Sequence, residues 1–195
     1  MPCSTQPTLP RGQAARAPSQ AILSGPHENR ISETVAIRSR YLDASAAVKL
    51  VVNEIGSVAL REYFEGGDPF YITSPCALEV FSVLKVKHFY RKELSREEYF
   101  SASYAFSAYL RDAICVERFD FHTPAVFFEV EEVARRHNFD LVDAIQLYTL
   151  LRGRFANYAG QHKSLLITAD ENLAAAARIE GIEVWDCTQE SPPAR

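Results

Sequence analysis

Tyr41-Leu42-Asp43-Ala44-Ser45-Ala46-Ala47-Val48-Lys49-Leu50 is the stretch that decides the fold. A short apolar run ends in an aspartate, a small polar residue follows, and an alanine-rich helix-forming run comes next. A strand feeding a helix in this way belongs at the carboxyl edge of a parallel sheet, where open α/β folds place their ligands. Outward from it, apolar runs of strand length recur at about 37–43, 70–73, 114–119, 163–168 and 182–185.

Helical patterns fill the intervals. Ser45 reads as the cap of the first helix, and Gly56 breaks it before a second short helix through Phe64. Ser74-Pro75 and Thr123-Pro124 each read as a cap followed by proline in the first turn, opening helices to about Arg91 and His137. Ser95 with Glu98 has the spacing of a capping box, giving a helix over 96–112. Residues 141–155, capped by Asp140, are apolar on most sides, as a helix buried by its neighbours would be, and 171–180 is alanine-rich. Strands alternating with helices predict an α/β fold, with a central, mostly parallel sheet of about five strands flanked by helices.

The chain has 195 residues, 47 % hydrophobic and 24 % charged, which suits one globular domain with an appendage. No apolar run approaches the roughly 18 residues of a membrane span, so no membrane partner is expected. Residues 1–36 read as a disordered tail and 37–190 as the folded domain: five of the ten prolines fall in the first 35 residues, without apolar periodicity. The first 40 residues carry five arginines against two glutamates, a balance of +3 that leaves −7 for the rest of a chain whose net charge is −4. An acidic body argues against non-specific duplex binding through overall charge. Cys3, Cys76, Cys115 and Cys187 form no C-x-x-C pair, which excludes a zinc motif and a disulfide framework and fits a cytoplasmic protein.

Four acids stand in settings that capping alone does not explain equally well. Asp43 and Asp170 each follow a strand and precede a helix, so a cap role is open to both. Glu79 shares a helical stripe with Cys76, Val83 and Val86, where a carboxylate is costly unless paired or bound to a cation. Asp143 lies in the apolar helix beside Leu147 and is not needed as its cap. Two inward carboxylates raise each other's pKa unless a cation neutralises them. Oxygen-only ligands point to Mg²⁺ or Mn²⁺, and the five histidines show no ligand spacing. Ser45 and Thr168 are placed to orient the carboxylates. A cation held this way suits hydrolysis of a phosphodiester.

The fragments Tyr41-Leu42-Asp43-Ala44-Ser45, Ala77-Leu78-Glu79-Val80, Asp143-Ala144-Ile145-Gln146-Leu147 and Leu166-Ile167-Thr168-Ala169-Asp170-Glu171-Asn172-Leu173, with the closing Gly181-Ile182-Glu183-Val184-Trp185-Asp186, resemble the PIN-domain ribonucleases. They are most similar to the toxins of bacterial VapBC-type toxin–antitoxin pairs. The resemblance spans roughly 40–188. It implies a three-layer fold, a Mg²⁺-dependent endoribonuclease with Asp43, Glu79, Asp143 and Asp170 as its acidic site, an RNA substrate, an antitoxin partner and a homodimer. Lys49, Lys85 and Lys87 are the candidate RNA-binding cations. The open alternatives are an RNA-processing nuclease outside any toxin pair, and a non-catalytic RNA-binding module. A haloacid-dehalogenase-type phosphatase would need an acid where Ser45 stands, and a receiver domain would need an early acidic pair and a late lysine.

Overall fold

The computed structural model describes residues 39–120, 122–153 and 164–194. The expected tail over 1–36, the first residues of the expected 37–43 strand and the end of the expected 141–155 helix lie outside them. The strands are β1 (Arg40–Leu42), β2 (Phe70–Thr73), β3 (Ile114–Glu117), β4 (Leu165–Thr168) and β5 (Glu183–Asp186). They form one sheet in the order β3-β2-β1-β4-β5, and every neighbouring pair is parallel. The helices are α1 (Ala44–Lys49), α2 (Ser57–Phe64), α3 (Ser74–Lys85), α4 (Arg96–Asp112), α5 (Pro124–His137), α6 (Leu141–Arg152) and α7 (Glu171–Ile179). A π-helical stretch, Val86–Tyr90, prolongs α3. Among the described residues no helix is long and apolar enough to cross a membrane.

Alternation along the strands divides the core in two. Leu42, Ile72, Leu165 and Ile167 point to one face and pack with α1–α4. Tyr41 and Leu166 point to the other and pack with α5–α7. Each sheet face is therefore covered by helices, as a fully parallel sheet requires. The charge count at the amino end needs one refinement. Arg40 is buried in β1, with Nη2 2.8 Å from Asp68 and Nε donating to the Tyr63 hydroxyl, so it belongs to the domain's structure.

Helix starts follow local hydrogen-bond chemistry, and three differ from expectation. Ser45 does not cap α1. Asp43 holds that position and accepts from the Ser45 N–H, because a carboxylate directly after the strand reaches the free amides first. Thr73, not Ser74, caps α3, which places Pro75 in the first turn. Thr123 precedes α5 without a side-chain cap, since its hydroxyl donates to Asp120 instead. The Ser95–Glu98 capping box and the Asp140 cap are present as expected. Gly56 opens α2 with a φ of +87°, and a Cβ there would meet the Cys187 carbonyl oxygen at 2.1 Å. Only glycine fits both constraints.

Candidate active site

The strand order reverses direction between β1 and β4, and their carboxyl ends bound a crevice of the kind open α/β sheets use for ligands. Asp43 leaves β1 into this crevice and Asp170 follows β4. Asp43 is 3 % exposed. Its Oδ2 accepts from the Ser45 hydroxyl at 2.5 Å and from the Thr168 hydroxyl at 3.0 Å. The two hydroxyls in turn accept from the backbone N–H groups of Ala169 and Asp170. One network thus stitches the ends of β1 and β4 together around a carboxylate. Burial pushes the Asp43 pKa up, against the pull of hydrogen bonds from Ser45, Ala44 and Thr168.

Asp170 caps α7, its Oδ1 accepting from Leu173 N–H at 2.9 Å. Capping explains its position but leaves its charge at the crevice. Glu79 on α3 and Asp143 in the first turn of α6 approach from opposite faces of the sheet, and both are half-buried. Glu79 is pushed up to about 7, first by burial and then by the charges of Asp43, Asp140 and Asp170. Asp143 is likewise pushed up to about 7, by burial and then by Asp43, Asp140, Asp170 and Glu79. The stripe expected around Glu79 is only partly inward: Cys76 is buried, but Val86 is 37 % exposed where the helix widens into its π stretch.

Two contributors escaped the sequence reading. Asp140 is a fifth acid, whose capping role hid its effect on Glu79 and Asp143. Gln146, one turn after Asp143, is fully buried; its Oε1 accepts from Thr73 Oγ1 at 3.1 Å and Cys76 Sγ at 3.2 Å. It fastens α6 to the start of α3. A lone glutamine in the most apolar helix was the available signal, because a buried amide must find partners.

Among the described residues no three acidic, histidine or cysteine side chains gather as metal ligands. Like charges with no counterion lower their energy by standing apart, and Asp43 and Asp170 are engaged at their caps. The donor chemistry nevertheless fits a hard divalent cation, since every group is a carboxylate and mutual repulsion favours a positive guest.

The cationic candidates fare differently. Lys49 is 6 % exposed, and its Nζ lies 3.0 Å from Glu54 Oε2. Lys87 Nζ sits between Glu54, at 2.5 Å, and Glu93, at 2.8 Å. Lys49 and Lys87, candidate RNA-binding cations in the sequence, are members of an ion-pair network with Glu54 and Glu93. Lys85 is exposed.

A family model described as the PIN domain matches residues 40–179. No curated protein sequence matches the chain significantly. Among solved structures, PAE2754 from Pyrobaculum aerophilum aligns with a TM-score of 0.54 and 18 % identity, over 82 % of this chain and 92 % of that one. VapC20 of Mycobacterium tuberculosis, a toxin that cleaves the sarcin–ricin loop, aligns with a TM-score of 0.50 and 15 % identity, over 70 % and 94 %. At such identities the likeness concerns the fold alone.

Proposed function

The chain belongs to the PIN-domain family, and from that premise we propose that it is a Mg²⁺-dependent endoribonuclease acting as the toxin of a toxin–antitoxin pair. The observation that carries this reading is the charge imbalance at the β1/β4 crevice. Glu79 and Asp143 come from helices on opposite faces of the sheet, and each is pushed up to about 7 by burial and by the other acids. Asp43, Asp140 and Asp170 cap helices, but Glu79 and Asp143 cap none, and a cation-dependent site would use their charge.

Asp43, Glu79, Asp143 and Asp170 would hold the ion, Mg²⁺ or in its place Mn²⁺. When bound, such an ion lowers the pKa of a water and stabilises charge on the phosphodiester. The chain's own residues do the rest. Ser45 and Thr168 fix the Asp43 carboxylate by donating to its Oδ2, so that its orientation does not depend on the ion. Gln146 sets the depth of α6 against α3, and with it the spacing between Asp143 and Glu79. Burial of Asp43 keeps bulk water from screening the site.

The toxin role is supported by the fold shared with VapC20, a toxin that cleaves RNA at the sarcin–ricin loop. An antitoxin is then the expected protein partner, and RNA the substrate. Cleavage of structured and unstructured RNA, measured with Mg²⁺, with Mn²⁺ and with EDTA, tests the reading. Cleavage that persists in EDTA would overturn it. Growth arrest on expression in a bacterium separates the toxin from an RNA-processing nuclease, which would cut RNA without arresting the host.

A further inference from the structure

Beside the acids, and sharing Asp143 and Asp170 with them, is a cavity of about 460 Å³. That volume falls within the roughly 300–1,000 Å³ of small-ligand sites. Its lining is ordered by chemistry. Ala175 and Ile179 of α7, with Phe139 opposite, make an apolar surface, and Ile179 is 78 % exposed. The side-chain amides of Asn138 and Asn172 stand on the lining, and among the described residues neither has a hydrogen-bond partner. Arg136 also lines the cavity.

The segment that carries Asn138 is tied to the end of α7. Glu180 accepts from Arg136 Nη1 at 3.0 Å and pairs with His137 Nε2 at 2.9 Å. The His137 ring stacks on Phe139 with centroids 5.5 Å apart. Asn138 ends α5 with a φ of +54°, a left-handed conformation that asparagine tolerates better than most residues.

The lining combines an apolar surface, two amides and carboxylates, groups that suit a base, its polar edge and a phosphate carried with a cation. A free anion would be repelled by Asp140, Asp143 and Asp170, so the ligand must meet those carboxylates with a phosphate shared with a bound cation. Each asparagine offers both a donor and an acceptor, the combination that complements the polar edge of an unpaired base. We infer that this cavity is the subsite for the nucleotide flanking the scissile phosphate, with Asn138 and Asn172 as the residues that select its base. The inference rests on the endoribonuclease reading and adds base selection to it. It implies a single-stranded or looped target, because a paired base does not present that edge.

The test uses the full chain and a randomised single-stranded RNA pool, digested in Mg²⁺ or Mn²⁺ with the new ends sequenced. The wild type is expected to show a base preference at one position beside the cut, and Asn172→Ala and Asn138→Gly to flatten it there. Glycine keeps the left-handed backbone at 138, which separates loss of the amide from loss of the fold. On a preferred oligonucleotide the variants should raise KM roughly tenfold, the size of one lost base-edge contact, with the loss in KM rather than in kcat. A preference that survives both variants, a wild type that cuts without preference, or a loss confined to kcat overturns the subsite and leaves the nuclease standing. RNA left intact by the wild type in both metals overturns the two together.

Discussion

Two clusters of partly buried acids lie within this domain, and they behave in opposite ways. At Glu54 burial pushes the carboxyl up, yet hydrogen bonds from Lys87 and Lys49 and their charges outweigh it and hold the pKa below its usual value. At Glu79 and Asp143 burial pushes in the same direction, but the neighbouring charges are also acidic, and both groups rise to about 7. Burial is common to the two clusters and does not distinguish them. The sign of the local charge does. Glu54 is neutralised by the cations beside it, while Glu79 and Asp143 face other acids.

The largest effect expected from this contrast is at Asp143. On the proposed metal-dependent reading, Asp143→Asn should reduce RNA cleavage by several orders of magnitude, since it would remove a ligand charge. Stability without metal should hold or rise, because one source of repulsion is gone. Denaturant unfolding in EDTA, beside a cleavage assay in Mg²⁺, checks both. A variant that unfolds easily would make Asp143 a structural group and merge the two clusters into one kind.

Glu54→Gln should do the reverse. It leaves the Lys49 ammonium, whose side chain is 8 % exposed, without its partner. Loss of about 2–3 kcal/mol is expected, by analogy with breaking a buried pair, while cleavage per folded molecule persists. Chemical denaturation gives the first figure and a cleavage assay on the folded fraction gives the second.

The pH dependence of stability should separate the clusters within one molecule. The folded pKa values of Glu79 and Asp143 lie above their unfolded values, so between roughly pH 4 and 7 the folded state binds more protons. Their contribution is greatest at the acid end of that window and is lost as pH rises through about 7. Glu54 has the opposite sign: its contribution is present above the unfolded pKa and is lost as pH falls through the lowered folded value. Metal-free protein should therefore be most stable at about pH 4, and Mg²⁺ should flatten the decline above it. Urea titrations across pH, with and without Mg²⁺, measure this, and a metal-free optimum above pH 7 would contradict the crevice half.

The smallest effect concerns the hydroxyl network. Thr168→Val keeps the shape and removes a donor to Asp43 Oδ2. The Asp43 pKa should rise further, and the acid limb of the cleavage–pH profile should move upward by less than about one unit. A profile that does not move would assign the hydroxyl to strand packing alone.

Much of the architecture was legible because its signals are local. Alternating apolar runs gave the strands, and the Ser95–Glu98 box and Asp140 marked helix starts within four residues of themselves. Where two capping residues competed, as with Asp43 and Ser45 or Thr73 and Ser74, the sequence pattern did not rank them, since the outcome depends on where the strand delivers the backbone. The electrostatic coupling of Glu79 and Asp143 to Asp43 and Asp170 was foreshadowed by the order and spacing of the four acids. The fates of Lys49 and Lys87 were not. Their partner Glu54 sits in the turn between α1 and α2, and only folding brings Lys87 to it from the far end of α3. Asp140 was read correctly as a cap and incompletely as a charge, because a capping carboxylate satisfies a local rule while still acting over several ångströms. Gln146 needed partners from α3 and β2 that no local pattern names.

The hydroxyl bridge has a consequence in time. Asp43 and the Thr168 that holds it are 125 residues apart in sequence. The strand at the centre of the sheet is synthesised first, and β4, which completes its pairing, comes near the end. At a bacterial elongation rate of about 5–20 residues per second, Asp43 waits roughly 6–25 seconds for its partner. By the end of that interval the growing chain carries Asp43, Glu79 and Asp143, still without the strand that pairs beside β1. The order of the elements along the chain thus delays the site until nearly all of the protein has been made.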